Sequence, residues 1–180
     1  GSGEMTDGRP VRDASGGSRS ATNAPLLVQD GREVLDLDRY IPFLVSAIGN
    51  KWSRSSSRIY RDHFGVGVTE WRVMAMLAIE PRITAYRICQ VIGLDKAAAS
   101  RALQTMERDG YVRTWHESPG RHRKLVELTD AGWDLHGRII RTAHDREAVL
   151  VSDLSVAEVG QLASLLRRVL AKVPDILHDP

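Results

Sequence analysis

A single cysteine, Cys89, stands in 180 residues, so no internal disulfide can form. No apolar run approaches the length of a membrane span and no cleavable leader is visible, so the chain reads as soluble and cytoplasmic. Charge of either sign is nearly cancelled: 25 Lys and Arg against 23 Asp and Glu leave a formal net charge of +2. A molecule so balanced is no general polyanion binder, and any affinity for nucleic acid must be local. The six histidines show no His-x-x-x-His or Cys-x-x-Cys spacing, so neither a metal nor another cofactor is expected. His136 and His144 share a helical stretch with Asp134, Asp145 and Glu147, but are too far apart in register for a zinc pair. A nucleophile elbow, a phosphate loop and a dinucleotide fingerprint are all missing, which argues against an enzyme.

What is present is enough chain for one domain with a sizeable core, and one stretch, Ile83 to Lys124, that organises it. Ala85, Ile88 and Ile92 form an apolar stripe on a short helix that Thr84 can cap and Gly93 can end. Asp95 can cap a second helix, in which Ala99, Leu103 and Met106 form the stripe to be buried. The opposite face carries Lys96, Ala97, Ala98, Ser100, Arg101 and Gln104. Small residues let a backbone approach a surface closely. Arg and Gln make bidentate bonds to guanine and adenine edges, and an Ala methyl meets a thymine methyl. These are the requirements of a helix lying in a DNA major groove.

A hairpin follows. Tyr111–Glu117 alternates as a strand, Ser118-Pro119-Gly120 signals a turn, and Lys124–Thr129 reads as the return strand. Arg113, Arg121, Arg123 and Lys124 face one acid, Glu117, within residues 112–124, a local excess of +3, with His116 and His122 beside them. Cations at a hairpin tip next to a recognition-type helix suit the phosphate backbone or the minor groove.

The run TAYRICQVIGLDKAAASRALQTMERDGYV, followed by KLVELTDAG and preceded by GVTEWRVMAMLA, resembles the winged helix–turn–helix of the MarR family of bacterial transcription regulators. The likeness covers about residues 36–173. It implies a mainly α fold with a small β wing: a winged helix–turn–helix DNA-binding domain plus an α-helical dimerisation region formed by the N- and C-terminal helices. Lys96, Ala97, Ala98, Ser100, Arg101 and Gln104 would then read bases, Thr84 and Tyr86 would touch backbone phosphate, and Arg113, Arg121, His122, Arg123 and Lys124 would serve the wing. One departure stands out. Where the family wing carries Asp-x-Arg, this chain has Gly120 and His122, which leaves the family's acid–base brace without its usual partners.

Along the chain, Gly1–Glu4 reads as a cloning scar ahead of Met5, and 1–34 as a flexible tail. Within 1–35, four Arg face five acids, so the tail is no basic arm for DNA. Leu37, Ile41, Leu44, Ile48, Trp52 and Ile59 follow helical spacing from about Leu35 to Asp62, with Pro42 in or near the first turn. A stripe that long exceeds what one small domain covers, and a second copy of the chain is the simplest cover. Thr69 is expected to cap a helix over Glu70–Ile79, closed by Pro81. Thr129-Asp130 opens another helix, running through Trp133, Ile140, Ala143 and Leu150. Ser155–Glu158 is a capping box before a last helix that Pro174 stops. The resulting division is 35–62 with 130–173 for dimerisation and 63–129 for DNA. A two-fold dimer would set two recognition helices about 34 Å apart on a roughly palindromic operator.

The resemblance further implies release from DNA by a small aromatic carboxylate or phenol, with Arg39 for a carboxylate, Ser46 and Asn50 for polar contacts and Trp71 as an aromatic wall. Two other readings stay open. Cys89 suits a thiol-based redox sensor, against which stands the tendency of a lone cysteine to be a small buried hydrophobe. A winged-helix protein-interaction module without DNA binding is the other, and the wing's cations weigh against it.

Overall fold

The computed structural model describes residues 24–176 and divides the chain into two units, residues 1–55 and 56–180. The tail anticipated over 1–34 lies, as far as residue 23, outside the described residues. Its remainder is a hairpin: β1 (Leu26–Gln29) pairs antiparallel with β2 (Arg32–Leu35). Asp30 and Gly31, with φ of 50° and 73°, make the two-residue turn, whose positive φ values match the twist of the flanking strands. The Asp36 amide then donates to the Pro25 carbonyl at 2.8 Å and closes the base of the ribbon.

Helix α1 (Ile41–Phe64) starts later than the apolar spacing predicts, because Leu35 belongs to β2 and Asp36–Tyr40 form a turn. Pro42 sits at the second helical position, where its missing N–H costs nothing. The helix has 24 residues, about 36 Å at 1.5 Å each. Ile41, Val45 and Ile48 are exposed along it.

In the second unit, α2 (Val68–Ile79), α3 (Ala85–Ile92), α4 (Lys96–Arg108), β3 (Val112–His116), β4 (Lys124–Leu128) and α5 (Asp130–Leu150) enclose the core. Val73, Met74 and Leu77 of α2 meet Ile88 of α3, Met106 of α4, Val126 of β4, and Leu135 and Ile139 of α5, all nearly or wholly removed from water. Each such side chain contributes about 1.5–3 kcal/mol relative to exposure. Thr69 does not cap α2. The helix begins two residues earlier, at Val68, with Gly67 at the N-cap and no side-chain cap. The other caps form where the sequence puts them. Thr84 accepts from the Arg87 amide, Asp95 from Ala98 and Thr129 from Gly132, while Gly93 ends α3 at φ 77°. The Ser155–Glu158 box opens α6 (Val156–Lys172), which runs into a 3-10 turn, Val173–Ile176. No residue of α6 is buried, although Leu162, Leu166, Val169 and Val173 share a face. Among the described residues no helix is long and apolar enough to cross a membrane.

Candidate nucleic-acid interface

Helix α4 is split along its length. Ala99, Ala102, Leu103 and Met106 are buried and fix the helix against the core. Lys96, Ala97, Ser100, Arg101 and Gln104 are exposed and Ala98 is half-buried, so every predicted base-reading position except Ala98 lies open to solvent. The packing decides this: one stripe anchors, and the residues opposite must project away from the core. Tyr86 on α3 is 72% exposed, and its hydroxyl accepts from Gln90 Nε2 at 3.1 Å. Thr84 is half-buried and spends its hydroxyl on the cap.

The wing pairs Val112 with Leu128 and His116 with Lys124 at its ends. Gly120 turns the tip at φ 83°. Ile83 bridges Val126 and thereby ties the wing to the start of the helix–turn–helix. Arg121, His122, Arg123 and Lys124 are exposed at or near the tip. Arg123 approaches Glu117 at 3.7 Å, a loose pair that leaves its charge largely available.

Arg113 is a correction to the charge count. It stands directly across the ladder from Glu127, is ion-paired with it, and lies over the Trp115 ring at 5.3 Å. Arg82, from the loop before α3, reaches the other oxygen of Glu127 at 3.3 Å. Two guanidiniums thus share one carboxylate whose side chain is 14% exposed. A brace exists, but at the wing's base, not at the Gly120 and His122 positions where the family pattern puts it. Thr114 adds a hydrogen bond to Glu107 of α4 at 2.7 Å. Behind the helix pair, Arg87 holds Glu80 through two bonds of 2.9 and 2.8 Å, and these hydrogen bonds keep the Glu80 carboxyl below its usual pKa. Charge totals of single segments cannot reveal these pairs. The strand register would have given Arg113–Glu127, since residues opposite each other on one face interact.

Two recesses flank α4. One of about 210 Å³ is lined by Ala85, Cys89, Lys96, Ser100, Gln104 and Lys124, among others. Cys89 is therefore half-buried at a cavity wall, with its Sγ 3.9 Å from the Asp95 carbonyl, and is not the fully buried hydrophobe expected of it. The other, about 240 Å³, lies between the end of α1, the start of α2 and α4, and includes Arg61, Thr69 and Arg101. Nothing in a linear reading places Arg61 and Thr69 beside Arg101; only the fold brings them together.

Of the predicted effector residues, Trp71 is half-buried in an aromatic chain. Its ring lies 6.1 Å from Tyr60 and 5.6 Å from His136, which in turn meets Trp133 at 5.6 Å. Burial pushes the His136 imidazole below its usual pKa. Arg146 lies over Tyr60 and donates to the buried Ser56 hydroxyl at 3.1 Å. Arg39, Ser46 and Asn50 are exposed in the N-terminal unit, and none of them lines either recess. Among the described residues no group of three His, Cys, Asp or Glu side chains is placed to hold a metal.

A family model described as MarR family matches residues 64–124, the span from the end of α1 to the return of the wing. The MarR/EmrR family transcriptional regulator from Acinetobacter sp. ADP1 is similar over 78% of this chain and 99% of its own, with 30% identity and a TM-score of 0.73. The chain belongs to the MarR family. A MarR regulator's winged helix–turn–helix is therefore what α2 to β4 build. A mutant of MarR from E. coli, complexed with operator DNA, shares the fold at TM-score 0.64 and 22% identity, over 72% of this chain and 93% of that one. The HTH-type transcriptional regulator YwaE of Bacillus subtilis is 24% identical over 115 residues, which span 64% of this chain and 65% of that relative's length.

Proposed function

We propose that this MarR-family protein is a homodimeric repressor that grips a roughly palindromic operator. Residues 63–129 serve as the DNA-binding domain, and 35–62 with 130–173 as the dimerisation region. The observation that carries the reading is α4: a buried stripe holds it down while Lys96, Ser100, Arg101 and Gln104 stand exposed beside the basic wing tip. Ala97 and Ala98 keep the leading end of that helix slim enough to enter a groove. Arg121, His122, Arg123 and Lys124 reach the backbone or minor groove, and Tyr86 touches phosphate. Dimerisation is supported by α6, a helix of 17 residues with an apolar face and nothing buried. Single helices of this length are marginal in water, so the face needs a cover. The protein acts by binding, without catalysis.

The same reading includes release by a small aromatic carboxylate or phenol. Trp71, with Tyr60 and His136, supplies the aromatic wall such a ligand needs. The ligand works by favouring a spacing of recognition helices that no longer fits successive grooves. The test is a gel shift on palindromic fragments across a salt series, repeated with aromatic acids. Binding should weaken steeply with salt. Arg101→Ala should cost about 1–3 kcal/mol per half-site and relax sequence preference. Salt-insensitive binding, or an Arg101→Ala protein with unchanged preference, would refute the DNA reading. Absence of release by any aromatic acid would refute the effector reading alone.

A further inference from the structure

The β1–β2 ribbon is a two-stranded hairpin, a unit that is marginal in water unless one face is covered. Leu26 and Leu35 are directly paired and share a face with Val28; Val28 is 54% and Leu35 46% exposed. Leu37, and Ile41, Val45 and Ile48 at the head of α1, which follow the ribbon in the chain, are exposed as well. The ribbon and its turn are acidic: residues 24–40 hold Asp30, Glu33, Asp36 and Asp38 against Arg32 and Arg39, a net charge of −2. A surface of that sign is repelled by DNA phosphate. It suits a basic, apolar protein surface instead.

The chain carries one of that description. Beside the Leu162–Leu166–Val169–Val173 seam of α6 runs a shallow trough of about 590 Å³, lined by Leu165, Val169 and Ala171 and flanked by Arg168 and Lys172. Lys172 already reaches Asp175 at 3.2 Å, which leaves Arg168 as the cation facing the trough. We infer that the hairpin is a clasp for a second copy of this chain. Its Leu26, Val28 and Leu35 face seats in the partner's α6 trough, and Glu33 sits toward the partner's Arg168. The inference rests on the homodimer reading, because the trough continues the seam assigned there to the partner.

The experiment uses the full-length protein. In a Cys89→Ser background, the double variant Val28→Cys with Val169→Cys is oxidised and run on a non-reducing gel, with light scattering of the unmodified protein alongside. The expected result is a covalent dimer. Val34→Cys with Val169→Cys, on the opposite ribbon face, should stay uncrosslinked. Leu35→Asp should raise the dimer dissociation constant about tenfold or more while leaving the far-ultraviolet circular dichroism of the folded chain in place. A disulfide that closes within one chain, or no disulfide in a protein that is still dimeric, overturns the clasp and leaves the dimer standing. A monomer at tens of micromolar overturns the dimer reading itself.

Discussion

A methyl group added at Gly132 is the sharpest probe of how the wing is joined to α5. A Cβ there would lie 2.1 Å from the Tyr111 carbonyl oxygen and 3.1 Å from its carbon. An ordinary carbon–oxygen contact is about 3.3 Å or longer, so the Tyr111 backbone must move by about 1 Å. That carbonyl accepts the Thr129 amide at 3.0 Å, and the Thr129 hydroxyl donates to the Gly110 carbonyl at 2.6 Å while capping α5. Moving it strains the start of β3, the end of β4 and the cap together. Overpacking of this kind costs roughly 1–3 kcal/mol, and losing the Thr129–Tyr111 bond about 1 more. Alanine regains about 1 kcal/mol over glycine through helix propensity. The net expectation for Gly132→Ala is a loss of roughly 1–3 kcal/mol. Gly137, five residues on in the same helix, meets nothing within 4 Å. Gly137→Ala should therefore gain about 0.5–1 kcal/mol from propensity alone. Urea melts at one fixed protein concentration compare the two. Were Gly132→Ala as stable as Gly137→Ala, the close approach of α5 to the wing would be refuted.

Glu127→Gln should lower stability by about 1 kcal/mol, since it weakens two partly exposed ion pairs, and should steepen the salt dependence of operator binding as Arg113 becomes available to phosphate. Unchanged melts and an unchanged salt slope would count against the brace. Arg121→Ala should weaken binding to all sequences alike and reduce the slope of log K against log salt by roughly two per dimer, one per wing; filter binding over a salt series reads it. His136 gives a pH signature. Its folded pKa lies below the ordinary 6.5 because of burial, so the unfolded chain binds the extra proton. Its contribution is present above about 6.5 and is lost as pH falls through the depressed folded value, and His136→Phe should flatten that part of the stability profile.

The caps and stripes were legible because they are local. Thr84, Gly93, Asp95 and the Ser155–Glu158 box each answer to a need of the adjacent helix end. Gly132 ends the KLVELTDAG run, and why a glycine stands there appears only when the Tyr111 carbonyl is seen against it. Features made by distant residues stayed hidden. Arg82 and Glu127 are 45 positions apart, and Arg146 and Ser56 are 90 apart, so no window contains either pair. The β1–β2 ribbon was missed for a different reason. Its polar, Gly-containing turn and short strands look like loop until the Asp30-Gly31 conformation joins them.

The wing's electrostatics follow from these hidden pairs. A linear count gives residues 112–124 an excess of +3, yet Arg113 is bound to Glu127, just outside that window, and Arg123 leans toward Glu117. The exposed charge not held by Glu127 is thus narrower and nearer the tip: Arg121, Arg123 and Lys124, with Lys96 and Arg101 on α4. If the chain binds an operator as proposed, fewer phosphates would be neutralised than the composition suggests, and a larger share of affinity would come from base contacts and from doubling the site in a dimer. On the proposed repressor reading, such a site would be less drawn to arbitrary DNA, because non-specific affinity is almost wholly phosphate affinity. The Glu127 carboxylate, by holding two guanidiniums at the base of the wing, shapes the finger and restrains its charge at once.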